Sequence, residues 1–318
     1  MSAMTGVLSY LVFFLCVVLV LCILTMGLNL QWGFTGLFNA GVAGFYAIGG
    51  YTHAILTAAP NPQLMGNYGL PWIVGILGAV LLTALAAAVI GLITIRLRGD
   101  YLAIATFGIG IMIQLVALNL ERWSGGSQGI TRIAKPMSAV FDTPMAYNLF
   151  YLVFLLAVVA LVYWALERVL SSPWGRVLRA IREDEVAAAS LGKSAVWFRL
   201  QSFVLGSSLM GLAGALYVSF IGFVSPFDFL PILTFQVWAM LIVGGSGNNR
   251  GAMLGALVVW GVWASSGVFV SKWIPPAYAA QGAAIEVILI GLVLVLMLLF
   301  KPRGLIGERA VVSRHLVW

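Results

Sequence analysis

Long runs of apolar residues separated by short polar connections define this chain. Runs of roughly 20 apolar residues are long enough to cross a bilayer as helices, and the pattern predicts nine of them. They lie at about 7–28, 33–57, 70–95, 101–119, 147–167, 196–220, 229–245, 251–273 and 281–300. The predicted class is an all-α polytopic membrane protein with a single domain over 1–318. The seventh run is the weakest, because it begins near Pro231 and stops at the glycines that start with Gly244.

One stretch breaks the pattern. Residues Glu167 to Arg199 hold ten of the 27 charged residues in the chain: Glu167, Arg168, Arg176, Arg179, Arg182, Glu183, Asp184, Glu185, Lys193 and Arg199. Ser172-Pro173 can open a helix, Arg179 and Glu183 stand four apart and can pair, and Asp184 can cap a second helix of about two turns. Gly192 suits the position after a helix end and Ser194 can cap the next span. Two short helices bracketed by two spans are expected, over about 168–195. They either contact a soluble partner or lie as an amphipathic loop on lipid headgroups.

Composition agrees with a membrane protein. The chain is 62% hydrophobic and 8% charged over 318 residues, against about 25% charged in soluble domains. The net charge of +7 does not point to nucleic acid, because the basic residues sit between apolar runs. Lys and Arg accumulate on the cytoplasmic side of membrane proteins. With the C-terminus inside, Arg96, Arg98, Arg168, Arg176, Arg179, Arg182, Lys193, Arg199, Arg250, Lys301, Arg303, Arg309 and Arg314 are inner, which is 13 of 17. Arg122, Arg132, Lys135 and Lys272 are outer. The expected orientation is N-terminus out, C-terminus in. No basic residue precedes the first run, which argues against a secretory signal peptide. Cys16 and Cys22 lie inside that run, a setting for buried thiols rather than a disulfide.

Small residues spaced four apart form ridges at Gly36, Ala40 and Gly44, at Ser207, Gly211 and Ala215, and at Gly251 and Gly255. Such ridges serve close helix packing or line a path. The outer segment 121–146 is too rich in glycine and proline for a regular helix, with Trp123 and Tyr147 as expected interfacial anchors. Asn29, Thr35, Asn39, Gln114, Asn119 and Gln236 are uncharged polar residues inside or at the ends of spans. Each needs a partner in lipid, either on another helix or on a substrate in transit.

Two motif matches fail on context. Gly192-Lys193-Ser194 resembles the end of a phosphate-binding loop, but Ala187 stands where that loop needs glycine. Gly125-Gly126-Ser127-Gln128-Gly129 fits the nucleophile elbow only as letters, since no strand precedes it. With only His53 and His315 as histidines, neither a metal cluster nor a catalytic triad can be assembled. No cofactor and no enzymatic activity are expected on this chain.

Several stretches resemble, in order, the LivM-type permease family of bacterial branched-chain amino-acid ABC importers. They are Asn29-Leu30-Gln31-Trp32-Gly33-Phe34-Thr35-Gly36 leading to Gly49-Gly50-Tyr51, then Arg96 through Thr106, then Gly125 through Ile130. Trp174-Gly175-Arg176, Ala180 through Glu185, and Leu191-Gly192 follow. Gly211 through Tyr217, Gly244-Gly245-Ser246-Gly247 and Lys301-Pro302-Arg303-Gly304-Leu305 complete the set, which covers about 29–307. The sequence departs from the family at Gly41-Val42-Ala43-Gly44-Phe45, where histidine is frequent. Importers of urea, short amides and aromatic acids share much of the pattern.

The resemblance implies a bacterial inner-membrane permease that pairs with a second, LivH-type permease subunit. Two cytoplasmic ATPase subunits and a periplasmic substrate-binding protein would complete the assembly. It implies alternating access driven through Arg176, Arg179, Arg182, Glu183, Asp184, Glu185, Ala188, Leu191 and Gly192, which would contact the ATPases. The competing classes are an ion-coupled secondary transporter and a passive channel. Secondary transporters usually carry ionisable groups within spans, and Glu286 is the only acid inside a predicted span apart from Glu167, the last residue of the fifth. An ATP-driven importer has no need of it, and a channel has no use for the charged segment.

Overall fold

The computed structural model describes residues 2–97, 99–141 and 143–273, helical positions scattered through 281–300, and residues 301 and 303–308. Arg98, Glu286, Arg309, Arg314 and His315 lie outside the described residues. Among the described residues eleven helices are defined: α1 (Ser2–Gln31), α2 (Val42–Thr57), α3 (Trp72–Thr94), α4 (Asp100–Asn119), α5 (Glu121–Ser124), α6 (Pro144–Ser171), α7 (Pro173–Glu183), α8 (Glu185–Ser190), α9 (Ala195–Ile221), α10 (Pro231–Gly244) and α11 (Asn249–Trp273). Strands β1 (Ile130–Thr131) and β2 (Phe223–Val224) pair antiparallel, Ile130 opposite Val224.

Among the described residues, five helices are long and apolar enough to cross a membrane: Gly6–Gln31 of α1, then α3, α4, α6 and α9. The predicted runs at 33–57 and 229–245 come out differently. Helix α2 has only 16 residues and α10 only 14, about 24 and 21 Å at 1.5 Å per residue, short of the roughly 30 Å hydrocarbon core. The chain from Trp32 to Gly41 is not helical, although six of its ten residues are buried and the other four are half-buried. Gly36, at φ +74°, sits where a Cβ would be strained. Hydropathy cannot see such a break, since Trp32, Phe34, Leu37 and Phe38 keep the local average high.

Helix α9 sits at the centre, packed against α1, α2 and α3, while α10 packs on α11 and α1 on α6 and α11. Small residues make these approaches possible. A Cβ added to Gly49 of α2 would lie 2.0 Å from the Gly211 carbonyl oxygen of α9, and one on Gly255 would lie 1.9 Å from the Met240 carbonyl oxygen. The ridges on α9 and α11 therefore serve packing. The predicted first ridge is not continuous, because Gly36 and Ala40 precede α2: Gly44 faces Gly110 of α4, whereas Gly36 lies under Arg182 of α7. The opposite faces carry lipid-compatible side chains, such as Leu77, Leu81, Leu85 and Ile93 on α3. Cys16 and Cys22 are free and buried.

The connections gather at two ends. One end carries 32–41, α7, α8, 245–248 and 303–308. The other carries the two-stranded sheet, the 58–71 loop and the 120–143 segment, in which only short helical turns form. Tyr147, expected at an interface, is buried, ringed by Phe141 and Tyr151 and capped by the Lys135 ammonium 5.7 Å from its ring centroid. Trp123 is exposed as an interfacial side chain would be.

Candidate functional site: a coupling segment seated on two helix breaks

The charged segment folds as two short helices with different faces. Ser172 precedes Pro173 at the first helical position of α7, where proline's missing N–H costs nothing. Leu178, Ile181 and Ala188 are buried. Asp184 ends α7 and caps α8, its Oδ1 accepting from the backbone N–H groups of Val186 and Ala187 at 2.9 and 3.0 Å. Gly192 follows α8 at φ +75°. Ser194 precedes α9 without a capping hydrogen bond from its side chain. Arg176, Glu183, Asp184, Gly192 and Lys193 are exposed, and Val186 and Leu191 present apolar side chains at 75% and 80% exposure.

The expected Arg179–Glu183 pair does not form. Arg179 turns back on the preceding helix, donating to the Leu170 carbonyl at 2.9 Å and to Gly175 at 3.4 Å. The last carbonyls of a helix lack intrahelical donors, and a cation there also suits the helix dipole. Trp174 Nε1 donates to Gln201 Oε1 of α9 at 2.7 Å. Glu185 pairs with Arg199.

Arg182 faces inward. Nη1 donates to the Gly33 carbonyl, and Nη2 reaches both carboxylate oxygens of Glu308 at 3.0 and 2.8 Å. The segment thereby rests on the non-helical stretch after α1 and on the stretch after the last predicted span.

Beneath it lies a polar junction that brings together three of the six expected path residues. Asn29 Nδ2 donates to Asn249 Oδ1 at 2.9 Å, and Asn29 Oδ1 accepts from the Gly247 N–H at 2.9 Å. Asn249 Nδ2 donates in turn to Glu167 at 3.1 Å. The Thr35 hydroxyl meets Ser202 at 2.7 Å and donates to the Leu30 carbonyl. Asn39 Nδ2 donates to Gln31 Oε1, whose Nε2 holds the Phe203 carbonyl and Ser207 Oγ. Backbone groups freed by the break are met by Thr106 on the Ala40 N–H, by Thr234 on the Ala43 N–H and by Trp238 Nε1 on the Asn39 carbonyl. Irregular backbone at membrane depth persists only when buried and satisfied in this way.

The other three residues stand apart. Gln114 reaches the Pro226 carbonyl at 3.5 Å, exposed Asn119 bonds Leu115 of its own helix, and Gln236 is buried on α10. Gln31, Ser202, Ser207, Asn249 and Glu308 were not singled out as site residues. Gln31 and Asn249 border breaks at polar helix ends, and Ser207 stands in a small-residue ridge; Ser202 and Glu308 carry no such signal.

Two cavities flank the ends. An inner one of about 220 Å³ lies between Phe34, Glu167, Arg179, Gly247, Arg250 and Glu308. An outer cleft of about 760 Å³ is lined by polar groups including Asn61, Gln63, Asn67, Glu121, Gln128 and Arg132.

Apolar spans, buried breaks held by amide and hydroxyl groups, and one charged helical pair at an end define a polytopic helical membrane protein. The family profile described as branched-chain amino acid transport system / permease component matches residues 10–298. The high-affinity branched-chain amino acid transport system permease protein LivM of Salmonella typhimurium is 33% identical over 306 residues, 89% of this chain and 67% of that protein. The probable branched-chain amino acid transport permease protein LivM of Methanocaldococcus jannaschii is 29% identical, over 92% of this chain and 91% of that one. LivH of Salmonella typhimurium, from the same kind of transport system, is 24% identical over 90% and 91%. No solved structure matches. The chain belongs to the branched-chain amino acid transport permease family.

Proposed function

We propose that this chain is the LivM-type half of an ATP-driven importer for branched-chain amino acids. It pairs with a LivH-type permease, two cytoplasmic ATPases bind below, and a periplasmic binding protein delivers substrate from above. The chain hydrolyses no ATP itself. The observation that carries the reading is the family match through nearly every span, 10–298. The exposed face of α7 and α8, with Val186 and Leu191 on it, offers the ATPases an apolar contact. The breaks at 32–41 and 245–248 give the bundle two places to bend.

On this reading the N-terminus is periplasmic and the C-terminus cytoplasmic, with nine crossings, those of α2 and α10 completed by the buried breaks beside them. The described connections support this: Arg168, Arg176, Arg179, Arg182, Lys193, Arg199 and Arg250 gather at the end that carries α7 and α8. Arg122, Arg132 and Lys135 gather at the other. The test is reconstitution of the complete importer in proteoliposomes with ATP inside and radiolabelled leucine plus binding protein outside. ATP-dependent leucine accumulation that survives an uncoupler is expected. Uptake that follows a proton gradient and ignores ATP would refute the reading, as would uptake of urea in preference to leucine for its substrate half.

A further inference from the structure

We propose that Arg182 is a positioning residue that transmits movement of α7 to both helix breaks at once, through the Gly33 carbonyl on one side and the Glu308 carboxylate on the other. This rests on the importer reading, and it separates Arg182 from the surface that meets the ATPases. The Arg182 side chain is 23% exposed, whereas its neighbour Glu183 is 75% exposed.

The first contact is with the break after α1. The Gly33 carbonyl lies just past the α1 C-terminus, where acceptors are left free and a cation is favoured. The guanidinium stem lies directly over Gly36: an added Cβ there would sit 3.2 Å from Arg182 Cγ. The second contact is with the break after α10, by way of a strap. Leu305 N–H donates to the Val243 carbonyl and Ile306 N–H to the Gly244 carbonyl, both at 2.9 Å. Asn248 Nδ2 donates to the Gly307 carbonyl at 3.2 Å. Glu308 then lies against Gly247, where an added Cβ would be 3.0 Å from its Cδ.

The two breaks also touch each other. A Cβ on Gly33 would lie 2.4 Å from the Gly247 nitrogen, and Asn29 Oδ1 accepts from that same N–H. Each break nonetheless has its own contact with Arg182, so a shift of α7 reaches the two through separate donors. Arginine suits this position because its several donors are held in a fixed plane, and hydrogen bonds to a carboxylate are the stronger kind. A lysine would supply the charge and three donors, but all on one nitrogen, without the planar fork that reaches two acceptors in different directions.

The test uses the whole importer in nanodiscs. Backbone hydrogen exchange is followed over 32–41 and 243–249, without nucleotide and after trapping with ATP and vanadate, in the wild type, Arg182→Gln, Glu308→Gln and the swap Arg182→Glu/Glu308→Arg. In the wild type, trapping is expected to change exchange several-fold in both segments. Glu308→Gln should reduce the response at 243–249 at least fivefold and keep that at 32–41. Arg182→Gln should lose both, and the swap should recover 243–249 alone. A role in stability only would speed exchange in the variants equally with and without nucleotide while leaving the trapping response intact, and that result overturns the proposal. Should Arg182→Gln fail to assemble, Glu308→Gln carries the same distinction. Exchange needs no transported substrate, so an importer that does not carry leucine would sink the substrate reading and leave this test standing.

Discussion

Glu185 of α8 and Arg199 in the second turn of α9 form an ion pair at 3.0 Å, with Arg199 only 17% exposed. It joins the second short helix to the first turns of the central membrane helix. Glu183, two residues earlier, is tied only to Arg182 at 3.9 Å and stands in solvent. Two acids that look equivalent in the sequence therefore do different things.

Glu183→Ala should leave the bundle's thermal stability unchanged and weaken binding of the ATPases, read as a higher concentration needed for half-maximal pull-down. Glu185→Ala should lower stability by about 0.2–1 kcal/mol, the range for ion pairs near the surface. It should also loosen α8, read as faster exchange over 185–190. Equal effects of the two substitutions on both readouts would contradict this division.

Orientation is checked by cysteine labelling. Ser138 and Ser190 are both exposed, at opposite ends of the bundle. A cysteine at 138 should react with an impermeant maleimide added to intact cells, and one at 190 only after the cells are opened. Labelling of 190 from outside would invert the assignment of the two faces.

Glycine contacts can be tested by a matched pair. Gly49→Ala drives a methyl group into backbone of α9, with 2.0 Å to the Gly211 oxygen, whereas a Cβ on Gly108 meets nothing within 4 Å. Gly49→Ala should cost about 1–3 kcal/mol or more through overpacking, seen as a clear fall in melting temperature in detergent. Gly108→Ala should be neutral or slightly stabilising, since alanine is the better helix former. Similar melting temperatures for both variants would mean that α2 and α9 do not approach as closely as described.

Legibility in the sequence followed the range of the interaction. The Asp184 cap and the left-handed Gly192 depend on neighbours within a few residues, so the sequence shows them directly. The Arg179–Glu183 pair was equally local but lost to a nonlocal need, the unpaired carbonyl of Leu170. The membrane class was legible from apolar runs, while the break at 32–41 was hidden because burial, not polarity, shelters its backbone. Glu308 and Arg182 are 126 residues apart, and nothing in either neighbourhood announces the other. Of the expected path residues, sequence could say that Asn29 and Asn39 need partners; only the fold shows that protein groups already supply them.

The last prediction follows from that saturation. Asn39 is fully buried, donates from Nδ2 to Gln31 at 2.8 Å and accepts at Oδ1 from the Gly41 N–H at 2.8 Å. Both ends of its amide are thus engaged by protein groups, and the side chain is closed off by burial. Asn39→Ala would strand the Gln31 oxygen and the Gly41 N–H in the interior, and a buried group left unpaired costs about 1–3 kcal/mol. A lower melting temperature and slower maximal uptake are therefore expected, with the leucine concentration for half-maximal uptake within about twofold of wild type, under roughly 0.5 kcal/mol of binding. Asn39→Asp keeps an acceptor for Gly41 but loses the donor to Gln31, so it should fall between the two in stability. A substrate-contacting role predicts the opposite division: near-normal melting with a half-saturation concentration raised tenfold or more. Uptake kinetics on the two variants beside their melting curves decide between these outcomes.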